Sequence, residues 1–146
     1  MTISIETLRE LRHEFHRFPE LGFQEKQTKI KIASFLKAKG LEVVEGVGVV
    51  GILKSGIGTK TIGLRADMDA LPIQETSKHS YSSTYPGVMH ACGHDGHMTM
   101  LLGAAEELAH SLDFDGTVIF IFQPNEENGL GAKAMLDEGL LSKFPI

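Results

Sequence analysis

Residues 117–127 read Thr-Val-Ile-Phe-Ile-Phe-Gln-Pro-Asn-Glu-Glu, an almost wholly apolar run that ends in a proline and two adjacent acids. The β-branched and aromatic side chains of Thr117–Phe122 are typical of a strand that is buried on both faces. Such strands lie in sheets whose two faces are covered by helices. Glu126 and Glu127 follow the strand, at the edge where α/β sheets hold their ligands.

Apolar residues recur at helical spacing on both sides of this strand. Helices are therefore predicted over residues 5–18, 24–39, 96–111 and 131–138. Further strands are predicted over residues 41–44, 47–53 and 61–66, and a long loop over the polar, turn-rich residues 74–88. Helices that alternate with buried strands favour an α/β fold, here a mostly parallel mixed sheet flanked by helices.

Two of the predicted helices have an apolar face that we expect to pack on the sheet. On the second helix this face contains Ile30, Ala33 and Leu36, and on the third it contains Met100, Leu101, Ala104, Ala105 and Leu108.

The composition argues against several classes of function. The chain of 146 residues is long enough for one domain with a sizeable core, and its formal charge is -5. This negative balance, without any basic run, argues against a nucleic-acid partner. The sequence contains no stretch of about 18 apolar residues, so we expect no membrane span. A single cysteine cannot form an internal disulfide, and the cytoplasm is the simplest location for a reduced thiol.

The run Met89–His97, MHACGHDGH, contains the only cysteine and three of the seven histidines. Thiolate and imidazole are preferred ligands of zinc and its neighbours among the transition metals. Gly93 allows a tight backbone, so Cys92 and His94 can reach one ion, and the N-terminus of the following helix is expected to favour the thiolate. The alternative is a buried cysteine beside a surface histidine. The neighbouring histidines and the downstream acids favour the metal.

Acidic residues follow two of the predicted strands. Glu126 and Glu127 come after Pro124, where the chain can bend so that one acid binds a metal while the other faces its water. A solvated loop is the alternative for this pair. Asp67 and Asp69 follow another strand, where they either orient a histidine ligand or cap exposed backbone amides. The acids and the cysteine motif are expected to converge on one rim of the sheet.

The other histidines are given no role in this site. His13 and His16 lie three residues apart on the first helix, a spacing that can bind a metal, but an exposed helix edge is the preferred interpretation. His79 and His110 are given no functional role.

Four segments of the chain together resemble a known family. They are LRHEFHRFPELGFQE (Leu11–Glu25), GLRADMDALPIQE (Gly63–Glu75), MHACGHDGHMTMLLGAA (Met89–Ala105) and FQPNEENGLGAKAML (Phe122–Leu136). In these segments the chain resembles the N-terminal part of the metallo-amidohydrolases that include hippurate hydrolase, bacterial N-acyl-amino-acid amidohydrolases and plant indole-acetyl-amino-acid hydrolases. The combination of HACGHDGH with a following pair of acids is highly specific.

The resemblance implies a zinc-peptidase-like catalytic domain with two divalent metal ions. Zinc, manganese, cobalt and nickel all suit the ligand types. By resemblance, Cys92 is the ligand shared by the two ions, His94 is a ligand of one ion, and Glu127 is a further ligand. Glu126 matches the general base that deprotonates the water and later protonates the leaving amine. Asp67 matches an acidic position behind the metals that supports catalysis.

The chain departs from the family pattern in two respects. Asn125 and Asn128 stand where the family usually has a small residue and a glycine. The family's chains are also much longer. Residues 1–146 would therefore form only the N-terminal part of the catalytic metal-binding domain, without two further histidine ligands and without the second domain that closes the substrate site and dimerises the enzyme.

The implied reaction is hydrolysis of the amide bond in a small N-acyl amino acid, such as hippurate or an N-acetyl amino acid. The parent enzyme is expected to be a homo-oligomer, and the isolated chain is expected to be inactive. Two alternatives remain open, namely deacetylation of N-acetyl-diaminopimelate and a non-catalytic metal-binding fragment.

Overall fold

A four-stranded mixed sheet lies between two layers of helices in the computed structural model, which describes residues 3–146. The strands are β1 (Glu42–Glu45), β2 (Val49–Ser55), β3 (Thr61–Asp67) and β4 (Gly116–Gln123). The helices are α1 (Ile5–Arg17), α2 (Lys26–Ala38), α3 (His94–Ser111), α4 (Gly131–Asp137) and α5 (Leu140–Lys143). The predicted α/β class with a mixed, helix-flanked sheet is confirmed, and only the short helix α5 has no counterpart among the predicted elements.

The sheet order is β1-β2-β4-β3, so the apolar strand β4 lies inside the sheet. β4 pairs in parallel with β3, because α3 forms the crossover between them, and antiparallel with β2. β1 and β2 are joined by the short turn at residues 46–48 and are therefore antiparallel as well. The expected parallel majority is absent from these four strands, because only one of their three pairings is parallel.

Successive side chains of β4 enter two different cores, which explains its nearly continuous burial. Val118, Phe120 and Phe122 pack in the core that faces α1, α2 and α3. Ile119 and Ile121 pack on the opposite side, together with Met135 of α4 and Leu140 of α5. The prediction of a strand buried on both faces is confirmed.

On two helices, one residue that is predicted to lie on the buried apolar face is exposed instead. On α2, Ile30 is 54% exposed, whereas Ile32, Ala33 and Leu36 are buried, because this helix packs against both the sheet and α3. On α3, Met100 is 66% exposed. The buried positions of α3 include Met98, Leu101, Leu102 and Ala105.

The first three helices are each started by a different interaction or backbone turn. The Ser4 side chain accepts a hydrogen bond from the Thr7 amide at 3.1 Å and so caps α1. The Glu20 carboxylate caps α2 from outside by accepting from the amides of Gln27 and Thr28. Gly93, with a φ of +98°, turns the chain into α3 so that His94 is the first residue of that helix. Among residues 3–146, no helix is both long enough and apolar enough to cross a lipid bilayer.

Truncating Phe120 should destabilise the fold strongly, because its ring is fully buried at the centre of the sheet. Phe120→Ala should lower the free energy of unfolding by about 3–5 kcal/mol. Ile62→Ala, on the edge strand β3 where Ile62 is 54% exposed, should change it by less than about 0.5 kcal/mol. Urea denaturation of both variants measures the difference, and similar losses in both would contradict this description of the core.

Candidate metal centre

Three chain segments meet at one rim of the sheet, where β3 and β4 end and α3 begins. Asp67 ends β3 and lies in register with Gln123, the last residue of β4. The Met68 amide donates to the Gln123 carbonyl at 2.9 Å and holds the two strand ends together. The predicted convergence is confirmed, since ligand atoms of Cys92, His94 and Glu127 lie within 4.8 Å of one another.

His94 is the centre of this rim and is only 1% exposed. Its Nδ1 lies 2.8 Å from the Asp69 carbonyl oxygen, so Nδ1 carries the proton and Nε2 is left as a free donor for a metal. Around Nε2 lie Oδ1 of Asp67 at 3.6 Å, Oε2 of Glu126 at 3.6 Å and Oε1 of Glu127 at 3.7 Å. These separations are too long for hydrogen bonds. They are close to the spacing of about 3.3–3.6 Å between two ligands of one tetrahedral zinc ion.

Two groups of donors share this histidine. One contains Cys92, His94 and Glu127, and the other contains Asp67, His94 and His97. Because only Nε2 of His94 is free, this ring can bind a single ion, and the two groups cannot both use it at once. The first group offers a thiol, an imidazole and a carboxylate, which is a donor set that fits zinc and related ions.

Negative charge surrounds the Cys92 thiol, which is exposed at the rim. A hydrogen bond with Glu127, partial burial and the charges of Glu127, Glu126 and Asp67 raise the pKa of Cys92. The sequence predicts the opposite, a thiolate favoured by the helix N-terminus. In the metal-free chain the hydrogen bond with Glu127, burial and the nearby carboxylates oppose the thiolate, and the dipole at an exposed helix end contributes only about 0.3–1 kcal/mol in its favour. A bound cation would relieve this crowding of negative groups.

The same crowding acts on His94. Burial works to lower the pKa of His94, but the hydrogen bond with Asp69 and the charge of Asp67 outweigh it and raise this pKa. The rim therefore attracts positive charge.

The two carboxylate oxygens of Asp67 contact different neighbours. Its Oδ2 accepts from Nη1 of Arg65 at 3.0 Å, and its Oδ1 lies 2.7 Å from Nδ1 of His97. Arg65 also donates through Nε to Oε1 of Gln123 at 2.9 Å, which braces the two strand ends. The sequence does not single out Arg65, because an arginine at a strand end has no local pattern that marks it.

Asp69 caps backbone amides, which is one of the two roles that the sequence suggests for it. The capped amides are those of Glu126 and Glu127, the acid pair after β4. Its Oδ1 accepts from the Glu126 amide at 2.9 Å and its Oδ2 from the Glu127 amide at 3.0 Å. Nδ1 of His94 also lies 3.4 Å from Oδ1 of Asp69. Burial works to raise the pKa of Asp69, but this contact with His94 and the hydrogen bonds from the two amides outweigh it and lower this pKa.

His16 is buried, so its prediction as part of an exposed helix edge is wrong. Its Nδ1 lies 2.9 Å from Oδ2 of Asp95, and its Nε2 lies 3.1 Å from Oε1 of Glu75. The reason is the irregular segment 74–88, which folds back over α1. Tyr81 of this segment stacks on His13 with ring centroids 3.7 Å apart.

His90 is also buried, and it belongs to neither donor group. Neither ring nitrogen has a hydrogen-bond partner among residues 3–146. Burial, the largest influence on this ring, lowers the pKa of His90 to about 4. His90 is therefore neutral near pH 7 and adds no charge beneath the rim.

Comparison with known proteins gives a consistent family assignment. Residues 63–146 match the family model described as Peptidase family M20/M25/M40. Hippurate hydrolase from Campylobacter jejuni is 54% identical over 137 residues, which cover 92% of this chain and 36% of that protein. The IAA-amino acid hydrolase ILR1-like 5 from Arabidopsis thaliana is 46% identical over 135 residues, which cover 90% of this chain and 31% of that protein.

A solved structure shares the fold. The crystal structure of the Bacillus subtilis YXEP protein, described as a dinuclear metal-binding peptidase from the M20 family, superposes with a TM-score of 0.90 at 40% identity. The match covers 93% of this chain and 40% of that chain. The present chain thus spans about a third of the length of the curated relatives it matches.

Glu75 should contribute stability that depends on pH. Burial works to raise its pKa, but hydrogen bonds from Ser77, from the Ser83 amide and from His16 outweigh it and lower the pKa of Glu75 from 4.5 to about 2. This contribution is present above about pH 4.5 and is lost as the pH falls towards about 2.

Glu75→Gln should therefore lower the urea midpoint near pH 7, and the difference from the parent should shrink as the pH falls below about 4.5. Glu42→Gln, at an exposed position on β1, serves as the matched control and should leave the midpoint unchanged. A Glu75→Gln effect that is the same at every pH would contradict the role of the ionised carboxylate.

Proposed function

Because this chain belongs to peptidase family M20/M25/M40, we propose that it is the first part of the catalytic domain of a metal-dependent amidohydrolase. The proposed substrate is a small N-acyl amino acid whose amide bond is hydrolysed to a carboxylic acid and an amino acid. Support for this substrate class comes from the relatives, since hippurate hydrolase and IAA-amino acid hydrolase are both named for amides of an acid with an amino acid.

Support for the metal centre comes mainly from one arrangement, the four potential ligands around His94 Nε2. Its three carboxylate neighbours lie at 3.6–3.7 Å, and the Cys92 thiol completes the donor set. Cys92, His94 and Glu127 would hold an ion, and Cys92 would be shared with a second one. The ion class is zinc, manganese, cobalt or nickel. When bound, such ions supply positive charge that polarises an amide carbonyl and lowers the pKa of a water molecule to about 7.

Glu126 is the proposed general base. The side chain of Glu126 is 40% exposed, compared with 25% for Glu127, so Glu126 is more open to water and substrate. The Glu126 carboxylate would take a proton from the attacking water and later deliver it to the nitrogen of the leaving amine. Asp67 supports this chemistry by adding negative charge beside His94 and by fixing the His97 ring.

Adjacent substitutions should separate the two acids. Glu126→Gln keeps the shape but removes the base, so metal content should survive while turnover falls by about 10²–10⁴-fold. Glu127→Gln should lower metal occupancy, because a neutral amide is a poorer ligand for a divalent ion. Metal content is measured on the 146-residue chain, and hydrolysis of N-acetyl and N-benzoyl amino acids is measured on the longer enzyme.

Two results would contradict this division of roles. One is equal loss of metal in both variants, and the other is full activity in both. Turnover by the isolated chain would contradict the proposal that it is an incomplete catalytic domain.

A further inference from the structure

The irregular segment 74–88 is tied to the rest of the chain through one buried histidine. His16 of α1 lies between two carboxylates, with its Nδ1 2.9 Å from Oδ2 of Asp95 and its Nε2 3.1 Å from Oε1 of Glu75. Asp95 is in the first turn of α3, whereas Glu75 is near the start of the segment. All three side chains are at most 10% exposed, so water competes little for these contacts. One imidazole ring thus joins three parts of the chain.

As carboxylates, both partners of this ring can only accept hydrogen bonds. Glu75 has a pKa of about 2 and is therefore ionised near pH 7. Oδ2 of Asp95 also accepts from Nε of Arg12 at 3.2 Å, and the N-terminus of α3 favours negative charge on Asp95. A neutral imidazole has a single N–H and would direct its lone pair at one of the two carboxylates. Both contacts of His16 are satisfied only when the ring carries two protons and a positive charge.

The other ionisable groups around His16 are compatible with this charge. They lie on α1, on segment 74–88 and in the stretch before α3, and they are Arg12, His13, Tyr81 and His90. The charge of Arg12 is offset by its own ion pair with Asp95. Burial and the charge of Arg12 lower the pKa of His13, and burial lowers the pKa of His90 to about 4, so both rings are neutral near pH 7.

The two ends of the segment meet in a narrow neck. The Leu71 amide donates to the Met89 carbonyl at 3.0 Å, and the Met89 amide donates to the Leu71 carbonyl at 3.1 Å. On the α1 side, the amide and the hydroxyl of Thr84 both donate to the Arg17 carbonyl at 2.9 Å. The bonds of the neck do not involve His16, so the segment can open as a loop while the neck stays closed.

We propose that His16 is a pH-sensitive switch, whose doubly protonated ring holds segment 74–88 on α1 and α3 and whose loss of one proton at higher pH releases the segment. The sign follows from the partners, because deprotonation leaves a lone pair facing a carboxylate. The attachment is at full strength below about pH 6.5, the pKa of an unattached histidine, and weakens as the pH rises. Glu75 sets the lower limit, since its carboxylate becomes protonated towards about pH 2. This role is separate from the proposed metal centre, because the switch uses none of its proposed ligands.

The test is amide exchange with solvent deuterium in the metal-free 146-residue chain, at several pH values between about 6 and 8.5. The reporters are the amides of Ser83 and Thr84, which donate to Oε2 of Glu75 and to the Arg17 carbonyl. After correction for the pH dependence of exchange itself, their opening equilibrium constant should rise by up to about tenfold per pH unit above about pH 6.5, because opening releases one proton. An opening constant that stays the same over this range would overturn the proposal.

Two glutamine variants of α1 separate the switch from a general effect on the helix. His16→Gln is neutral at every pH and presents a carbonyl oxygen to one of the two carboxylates, so Ser83 and Thr84 should exchange fast and their opening constant should not depend on pH. His13→Gln makes the same replacement three residues earlier, at a ring that stacks on Tyr81, and should keep the pH dependence of the unmodified chain. An unchanged pH dependence in His16→Gln, or its loss in both variants, would overturn the role of His16.

A second measurement covers the case in which His16→Gln does not fold. Nitrogen-15 NMR of the unmodified chain at pH 7 reports whether each ring nitrogen of a histidine carries a proton. Both nitrogens of His16 should be protonated, whereas His90, whose pKa is about 4, should carry one proton and serves as the internal control. A single proton on the His16 ring at pH 7 would overturn the proposal.

Discussion

Repulsion among acidic groups at the ends of two parallel strands is the constraint on which the candidate centre depends. Asp67, Glu126 and Glu127 point at the same imidazole nitrogen from distances of 3.6–3.7 Å, and the Cys92 thiol lies beside them. Like charges so close together raise the free energy of the folded chain unless a cation balances them. The surrounding structure holds them in place against this repulsion.

The fold supplies that restraint through contacts far apart in sequence. The parallel pairing of β3 and β4 brings Asp67 and Gln123 into register. Asp69 then ties the turn after β4 to the first residue of α3. The segment before α2 closes the arrangement from another side at Gly22, where a β-carbon would lie only 1.9 Å from Oδ1 of Asn125. A side chain at this position would displace the turn, which explains why a glycine is needed there.

Much of the fold follows from local pattern. The β-branched and aromatic run of β4 and the apolar periodicity of α3 are strong enough to identify both elements. The phase of a helix is harder to predict, because the buried face depends on which neighbours pack against it. Ile30 and Met100 are apolar and correctly spaced, yet both face solvent.

In the candidate centre too, the features that depend on local sequence are predictable and those that depend on distant contacts are not. The ligand types and their place at the rim follow from the cysteine–histidine motif and the acid pair. The contacts that orient them do not, since His16 meets Asp95 across 79 positions and Asp69 meets the acid pair across 57 and 58. Nothing near His16 in the sequence marks it as buried, and Asp69 has the local appearance of an ordinary capping residue.

The most direct measurement is X-ray absorption at the zinc edge of the zinc-loaded chain. A centre built on Cys92, His94 and Glu127 should show one sulfur at about 2.3 Å, together with nitrogen and oxygen at about 2.0–2.2 Å. The sulfur shell should disappear in Cys92→Ser while the nitrogen and oxygen shells remain. A spectrum of the unmodified protein with no sulfur around zinc would contradict the proposed centre.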